Sequence, residues 1–555
     1  MSITQKFITK VLPVPAACYV GNAGDLWWDT TTESLRAYCG TPGGHSITCG
    51  GSATWSSLVA KTGESGPISI ALGRCAGACQ SCGAIAIGKN AGATGQTFFA
   101  VAVGFGAGAT GQGYSAVSIG YCAGQMHQGC MAISVGKSAG QACQHSNSVA
   151  IGPAAGYHNQ WPNSIAVGVG AGALFQGTAA VAIGDGSGRI FQGADSIAIG
   201  SSAGIGSLAS TTISGPTCGS NITVSSTNNI IYNMRVVGNG FSLGQRVVSI
   251  HCGGVVTLTA PPCTTPSGDL LFISNQGNSS IAIGCYAAVY NQGDGGIAIG
   301  YEAGIYCQGC CSVAIGSCAG SYEQRYCSVA IGSRAGYQYQ CDHAVAIGYE
   351  AANYRQSTGT VAVGWSAGYF GQSSCAVAIG RNAGYCSQGN SSVAIGSYAG
   401  KCCQGRCAVA IGSCAGNCTQ GYAAVAVGMY AGWAYQGNTA VAVGHHAGYR
   451  IQQPFALAIG SSAGLCNQGA NATAIGSNAG RINMGANAVA IGSGAGSCSL
   501  PVNTIVINGS GGVFNICSEV SCRTYVRPIR SSATVPGGFY PMYYSPTTGE
   551  IIVVT

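Results

Sequence analysis

The sequence predicts an all-β chain built as a parallel β-roll or β-solenoid. Three observations carry that expectation. A nearly identical stretch recurs 23 times, almost always at a spacing of 16 residues; each copy opens on a short run of valine, isoleucine and alanine; and glycine ends that run every time. One copy reads Ser312, Val313, Ala314, Ile315, Gly316, then Ala319, Gly320 and Gln324, and the next follows at once with Ser328, Val329, Ala330, Ile331 and Gly332. A fixed period of this size marks a solenoid, whose units bury their apolar faces only by stacking on their neighbours.

Each element of the repeat has a physical reason. Sixteen residues with at least two glycines are too short and too broken for a pair of helices. The Val-Ala-Ile run is a short strand, and the Ala-Gly pair marks a bend where a Cβ would be crowded. The Ala of that bend is replaced once, by Ser187. A second, variable stretch carrying Tyr, Cys and Arg is the second strand, and Gln-Gly turns the chain back. Stacked at about 4.8 Å per coil, 23 coils would make a rod of roughly 110 Å. Both faces of the first strand are apolar, as in Ala408, Val409, Ala410, Ile411, which is the pattern of a strand covered on both sides. With the branched side chains supplying about 3 to 6 kcal/mol of burial per coil, a lone roll still covers only one face. Further copies of the same chain are the economical cover for the other, so a homotrimer is expected. The glutamine column, including Gln372, Gln388, Gln404, Gln420 and Gln436, is expected to form an amide ladder in preference to a polar binding strip, and it ends where Met484 and Leu500 replace it.

Five regions follow: an N-terminal module over 1–66, nine repeats over 67–207, an inserted small β module over 208–279, fourteen repeats over 280–503, and a β-rich C-terminal module over 504–555. The N-terminal module holds Gly24, Asp25, Leu26, Trp27, Trp28, Asp29 and Thr30 to Thr32, with Trp55 later, a pattern that suits a hairpin with a tryptophan core.

Composition argues against several functions. Only 6% of residues are charged, and a net charge of +7 over 555 residues is too dilute for nucleic-acid binding. No apolar run is long enough for a membrane span, and two prolines in the stretch after Lys10 argue against a signal peptide. Glycine without a three-residue period excludes collagen. No catalytic set can be assembled: the Gly168, Gly170, Gly172 run only imitates a dinucleotide loop, and the adjacent His445 and His446 lack an acid or nucleophile nearby. No enzyme activity, cofactor or metal is expected.

Thirty cysteines stand out. Cys386, Cys402 and Cys418 share one column in consecutive coils, as do Cys311 and Cys327. They are read first as stacked thiols acting as small apolar filler, with disulfide staples as the alternative and metal binding last. Aromatic residues gather on variable columns. Tyr337, Tyr369, Tyr385, Trp433 and Tyr449 follow the Ala-Gly bend; facing outward they would offer rings to a host-surface glycan, whereas packing on one another they would shield the roll's flank, and the second arrangement is preferred.

The Ser-Val-Ala-Ile-Gly-x-x-Ala repeats resemble the heads of trimeric autotransporter adhesins, left-handed parallel β-roll trimers, and more closely the repeats of phage and large-virus fibre proteins. The Gly24–Thr32 segment is similar to a module near the start of phage tail fibres. The ending, Tyr525, Val526, Arg527, Pro528, Ile529, Arg530 and then Tyr543, Tyr544, Ser545, Pro546, Thr547, Thr548, Gly549, Glu550, is similar to that of phage and giant-virus fibres. The insert between Ile222 and Thr259 resembles small β modules of surface fibres. The resemblance implies a structural fibre of a virus particle, exposed at the virion surface. Its expected partners are itself, other virion proteins, and a host glycan or receptor met by the insert or the C-terminal region. The alternative is a cellular extracellular adhesin or filament subunit.

Overall fold

A computed structural model describes residues 69–212, 276–514 and 521–527, with shorter pieces within 26–37, 220–274 and 542–553. Trp55, Pro528, Ile529, Arg530 and the segment Ser545–Glu550 lie outside the described residues. The chain is an all-β parallel β-solenoid; it divides into two units, Met1–Ser391 and Ser392–Thr555, and no helix occurs among the described residues.

In the first unit, strands from Ile70–Leu72 to Val377–Ile379 form one parallel row. Adjacent coils pair without offset: Val313 lies against Val329, Ala314 against Ala330 and Ile315 against Ile331. A second row runs from Thr94–Gln96 to Cys386–Gln388, with Tyr306 against Tyr322 and Gln308 against Gln324. The second unit repeats both rows, from Val393–Ile395 to Val489–Ile491 and from Cys402–Gln404 to Cys498–Leu500. Its first row then continues past the regular repeats: Ile505–Asn508 pairs with Val489–Ile491, and Thr524–Arg527 with Ile505–Asn508. The 16-residue spacing therefore runs one strand past residue 503, from Val489 to Ile505, before the step from Ile505 to Thr524 lengthens it.

The glycine after each first-row strand is dictated by the neighbouring coil. Gly316 has a φ of 127°, and a Cβ there would sit 2.7 Å from the carbonyl carbon of Gly332. The bend glycine is less strict. Gly320, at φ 53°, meets mainly the Gln324 amide, and alanine takes the same position at Ala288 and Ala352. The second row is a strand only in part. Its middle residue is left-handed in most coils even when bulky, as at Phe175, Glu323, Tyr339 and Ile451, so its first two side chains point outward and only the third points in.

The interior corrects the source of burial assumed from the sequence. The centre of each first-row strand and the bend alanine, such as Ala314 and Ala319, are fully buried, whereas the flanking Val and Ile are not. Each strand from Ile85–Ile87 to Val489–Ile491 shows this alternation of a buried centre between partly exposed branched neighbours. The physical reason is room. Two three-residue rows enclose a cross-section that holds mainly alanine from one side and a glutamine from the other, which leaves the flanking Val and Ile of the first row outside; Thr360, Thr504 and Val506 are β-branched residues that it does take in. Where serine replaces the central alanine it joins the amides: Ser118 Oγ donates to Gln128 Oε1 at 2.7 Å. Ser187, the exception in the bend column, satisfies its hydroxyl on the Gly184 carbonyl at 3.1 Å.

The inserted module leaves after Gly206, in the second row, and returns at Gln276. The register survives the excursion: Gln276 bridges both Gln192 and Gln292, and Ile197–Ile199 pairs in step with Ile281–Ile283. The module contains two three-stranded antiparallel sheets, one of Ser207–Thr212, Ser267–Ser274 and Arg235–Asn239, the other of Asn221–Thr223, Val255–Leu258 and Val247–His251. Ile222, Val224, Met234, Val236, Val247, Val256 and Leu258 form its buried cluster. Near the N-terminus Leu26–Asp29 pairs antiparallel with Ser34–Ala37. Near the C-terminus Met542–Tyr544 pairs antiparallel with Ile551–Val553.

Candidate interaction surfaces

Three sets of side chains are repeated often enough to act as a surface or a column. The first is the outward face of the first row. Val and Ile occupy its two outward columns in nearly every copy, with Leu72 and Leu457 as close substitutes and Thr473 the one polar exception. Ile183, Ile347 and Ile411 are 39%, 37% and 38% exposed, so the chain carries two parallel lines of half-exposed branched side chains in each unit. At about 100 Å2 of exposed apolar surface per coil, the sixteen first-row strands of the first unit offer on the order of 1,500 Å2, several times the largest apolar patch of an ordinary monomer.

The second set is the glutamine column. It lies inside, and every glutamine from Gln96 to Gln468 in the column is at least 97% buried, so it offers nothing to an external ligand. Most of the amides perform two tasks, and the stack is interrupted at Gln112, Gln276, Gln292 and Gln404, whose Oε1 atoms accept no hydrogen bond from the described residues. An amide ties the two rows of its own coil, as Gln372 Nε2 does to the Val361 carbonyl at 2.9 Å, and Gln388 Nε2 to that of Val377 at 2.6 Å. It also bonds its neighbour up the stack: Gln356 Nε2 donates to Gln372 Oε1 at 3.3 Å, and Gln404 to Gln420 and Gln420 to Gln436 at 3.1 Å each. Chains of this kind polarise one another in a low-dielectric interior. Gln468 pairs in register with Met484, and Met484 with Leu500, and the buried column becomes apolar there.

The third set is the variable outward columns, where the cysteines and aromatics lie. Cys402 and Cys418 are register partners and carry no disulfide; burial, and after it the neighbouring Cys402, pushes the Cys418 thiol upward. Cys386 stands in the same column of the first unit. Cys311 and Cys327 occupy an exposed turn position, both left-handed and neither disulfide-bonded. Burial pushes Cys307 up to about 12, so the second row shelters some thiols from ionisation and leaves others open. Among the described residues no group of three or more His, Cys, Asp or Glu could hold a metal ion.

The five aromatics after the bend are half-buried and turned toward neighbours. Tyr369 and Tyr385 stack at 5.0 Å with planes 8° apart, and Trp433 and Tyr449 stack at 4.9 Å. Arg450 lies over both Trp433 and Tyr449, and Tyr337 meets the edge of Tyr322 at 5.3 Å. Desolvation raises the phenols of Tyr337 and Tyr369. These rings therefore spend faces on one another and on a guanidinium, which is the flank-shielding arrangement. His446 stacks on Tyr430 at 5.0 Å, with His445 Nδ1 3.1 Å from its own Nδ1.

The outward direction of the branched rows is the feature missed from the sequence. A signal for it existed: a side chain as long as glutamine, fixed in one column, has to cross the interior and leaves space only for alanine opposite. No family model, curated protein or solved structure matches the chain.

Proposed function

We propose that the chain is a structural fibre protein of a virus particle, a non-catalytic self-associating β-solenoid that contributes to host attachment at the virion surface. The observation that carries the reading is the double line of half-exposed Val and Ile along the first row, set against an interior closed by alanine and glutamine. An ordinary soluble chain breaks such a line with polar residues, whereas a stable interface needs about 800 Å2 per partner, which this face exceeds. A second and third copy of the same chain present the same ladder with the same repeat, so the match extends along the stack without a new surface having to be built. The resemblance of the repeats to trimeric β-rolls supports three copies. The paired strands Leu26–Asp29 and Ser34–Ala37 and the C-terminal strands Thr524–Arg527 and Met542–Tyr544, which carry part of the phage-fibre-like motifs, support a virion setting and further virion proteins as partners.

The test is the mass of the purified full chain by light scattering, with chemical cross-linking. Three copies are expected, and the combined change Ile299→Lys, Ile315→Lys and Ile331→Lys is expected to shift the population toward lower mass while the β circular-dichroism signal persists. A folded, monodisperse monomer for the unmodified chain would refute the reading.

A further inference from the structure

The second row has one gap. Its first-position column runs Leu174, Ile190, Gly206, Tyr290, Tyr306 and Tyr322 through consecutive coils, and Gly206 is the only glycine the sequence places in that column. Backbone bonds hold the position in register across the inserted module: Ile190 N donates to the Ile205 carbonyl at 3.0 Å, and Gly206 N to that of Val289 at 3.1 Å. Three tyrosines then stack in sequence, Tyr290 on Tyr306 and Tyr306 on Tyr322, each pair 5.0 Å apart. Tyr290 ends the stack. On its other side the column supplies Gly206, the strand Ser267–Ser274 also reaches Tyr290–Gln292, and no ring among the described residues covers that face of Tyr290.

The gap opens into a cleft of about 490 Å3 whose lining includes Ile190, Ser202, Tyr286, Tyr290, Glu302 and Tyr306. Ser202, Tyr286 and Glu302 come from three successive coils at one repeat position, so a hydroxyl, a ring and a carboxylate stand along one edge. Glu302 is half-buried and already accepts a long contact from the Cys318 thiol at 3.6 Å, but a carboxylate has further acceptor sites. Among the described residues no arginine or lysine lines the cleft.

We propose that this cleft binds one neutral pyranose unit of a glycan. A sugar ring has an apolar C–H face suited to an open aromatic face and a rim of hydroxyls suited to acceptors beside it. Tyr290 supplies the face, Tyr286 and Ile190 the apolar walls, and Glu302 and Ser202 the acceptors and donor. The volume falls within the range of small-ligand sites. A carboxylate without a basic neighbour disfavours phosphate and acidic sugars. A quaternary ammonium group would want several open ring faces around it, and here Tyr306 spends its faces in the stack. The site lies between the turn that follows the first row and the start of the second: Ser202, Tyr286 and Glu302 stand three residues beyond Ile199, Ile283 and Ile299, and Ile190, Tyr290 and Tyr306 belong to the second row. The proposal rests on the attachment reading above, since it gives that role a ligand class.

The experiment is saturation-transfer NMR on the full chain with methyl glycosides of glucose, galactose, mannose, N-acetylglucosamine and N-acetylneuraminic acid, and with choline chloride. At least one neutral glycoside is expected to receive saturation with millimolar affinity. Tyr290→Ala is expected to weaken it at least tenfold and Glu302→Gln several-fold, while Tyr322→Ala, which lies outside the cleft, leaves it unchanged. No transfer to any neutral glycoside, equal binding by Tyr290→Ala, or stronger binding of choline or the acidic sugar would overturn the proposal. Mass measurements on the same samples separate the two readings: a trimer that binds no sugar defeats only the glycan site, and a monomer that binds sugar defeats only the self-association.

Discussion

The two rows of the solenoid share the same repeat spacing and obey opposite rules on their outward faces. In the second row the outward positions change freely, from Thr94 and Met126 to Tyr306, Cys402 and Arg450, and the coil forms each time. The fold therefore does not dictate what an outward position must be. In the first row the outward positions stay Val or Ile with few exceptions, although they are equally outside the core. β-Propensity alone would admit threonine as readily, and threonine occurs once, at Thr473. Constancy where the fold demands none is what the proposed self-association through the first row requires, and the second row shows no such constancy.

The hardest way to break the comparison is to remove what both rows share. Gly412→Val places a branched side chain at φ 122°, with its Cβ 2.7 Å from the Gly428 carbonyl oxygen. The coil is expected to open and the thermal transition to fall sharply or lose cooperativity, by calorimetry. The next test sets the rows against each other. The triple lysine change of the first row is expected to lower the assembled mass, whereas Tyr306→Lys, Tyr322→Lys and Tyr354→Lys in the second row leave mass unchanged by light scattering.

Smaller effects sharpen the account of the interior. Gln340→Leu mimics Leu500 in shape but interrupts the bonds from Gln324 Nε2 at 3.2 Å and to Gln356 Oε1 at 3.0 Å. It is expected to cost about 1 to 3 kcal/mol by denaturant unfolding, the penalty of stranding a buried polar partner. Alkylation at pH 8 followed by mass spectrometry is expected to label exposed Cys403 of the second row and Cys407 of the following turn well before Cys307, whose thiolate burial suppresses. The smallest effect is a pH dependence. Burial, with His445 beside it, holds His446 below the ordinary histidine value. Its contribution is thus complete above the unfolded pKa near ~6.5 and is lost as pH falls through the depressed folded value. His446→Phe is expected to flatten a slight decline in melting temperature between pH 7.5 and 5.

The repeat, its strands and its turns were legible because each column states one steric demand many times. Gly316 and its equivalents cannot carry a Cβ, and Gln324 and its equivalents have one place to reach. The side of the strand that faces inward was not legible, because a period of two assigns Val313 and Ile315 to one face and Ala314 to the other without saying which face is enclosed. The width of the interior decides that, and width is a property of two rows together. Left-handed residues in the second row were equally hidden, since Phe175 and Ile451 give no local sign of positive φ. The cleft beside Tyr290 was missed for a similar reason: Gly206 is informative only once the chain on the far side of the insert is known to resume the same column.

That resumption has a practical corollary. Because Gln192, Gln276 and Gln292 stay bridged while an entire folded module hangs from the chain between the first two, the bend ahead of the glutamine works as a splice point. A foreign domain grafted at the matching place in another coil, after Tyr306 for instance, should be carried as a side branch without disturbing the scaffold, which makes the chain a rack for displaying cargo at chosen heights.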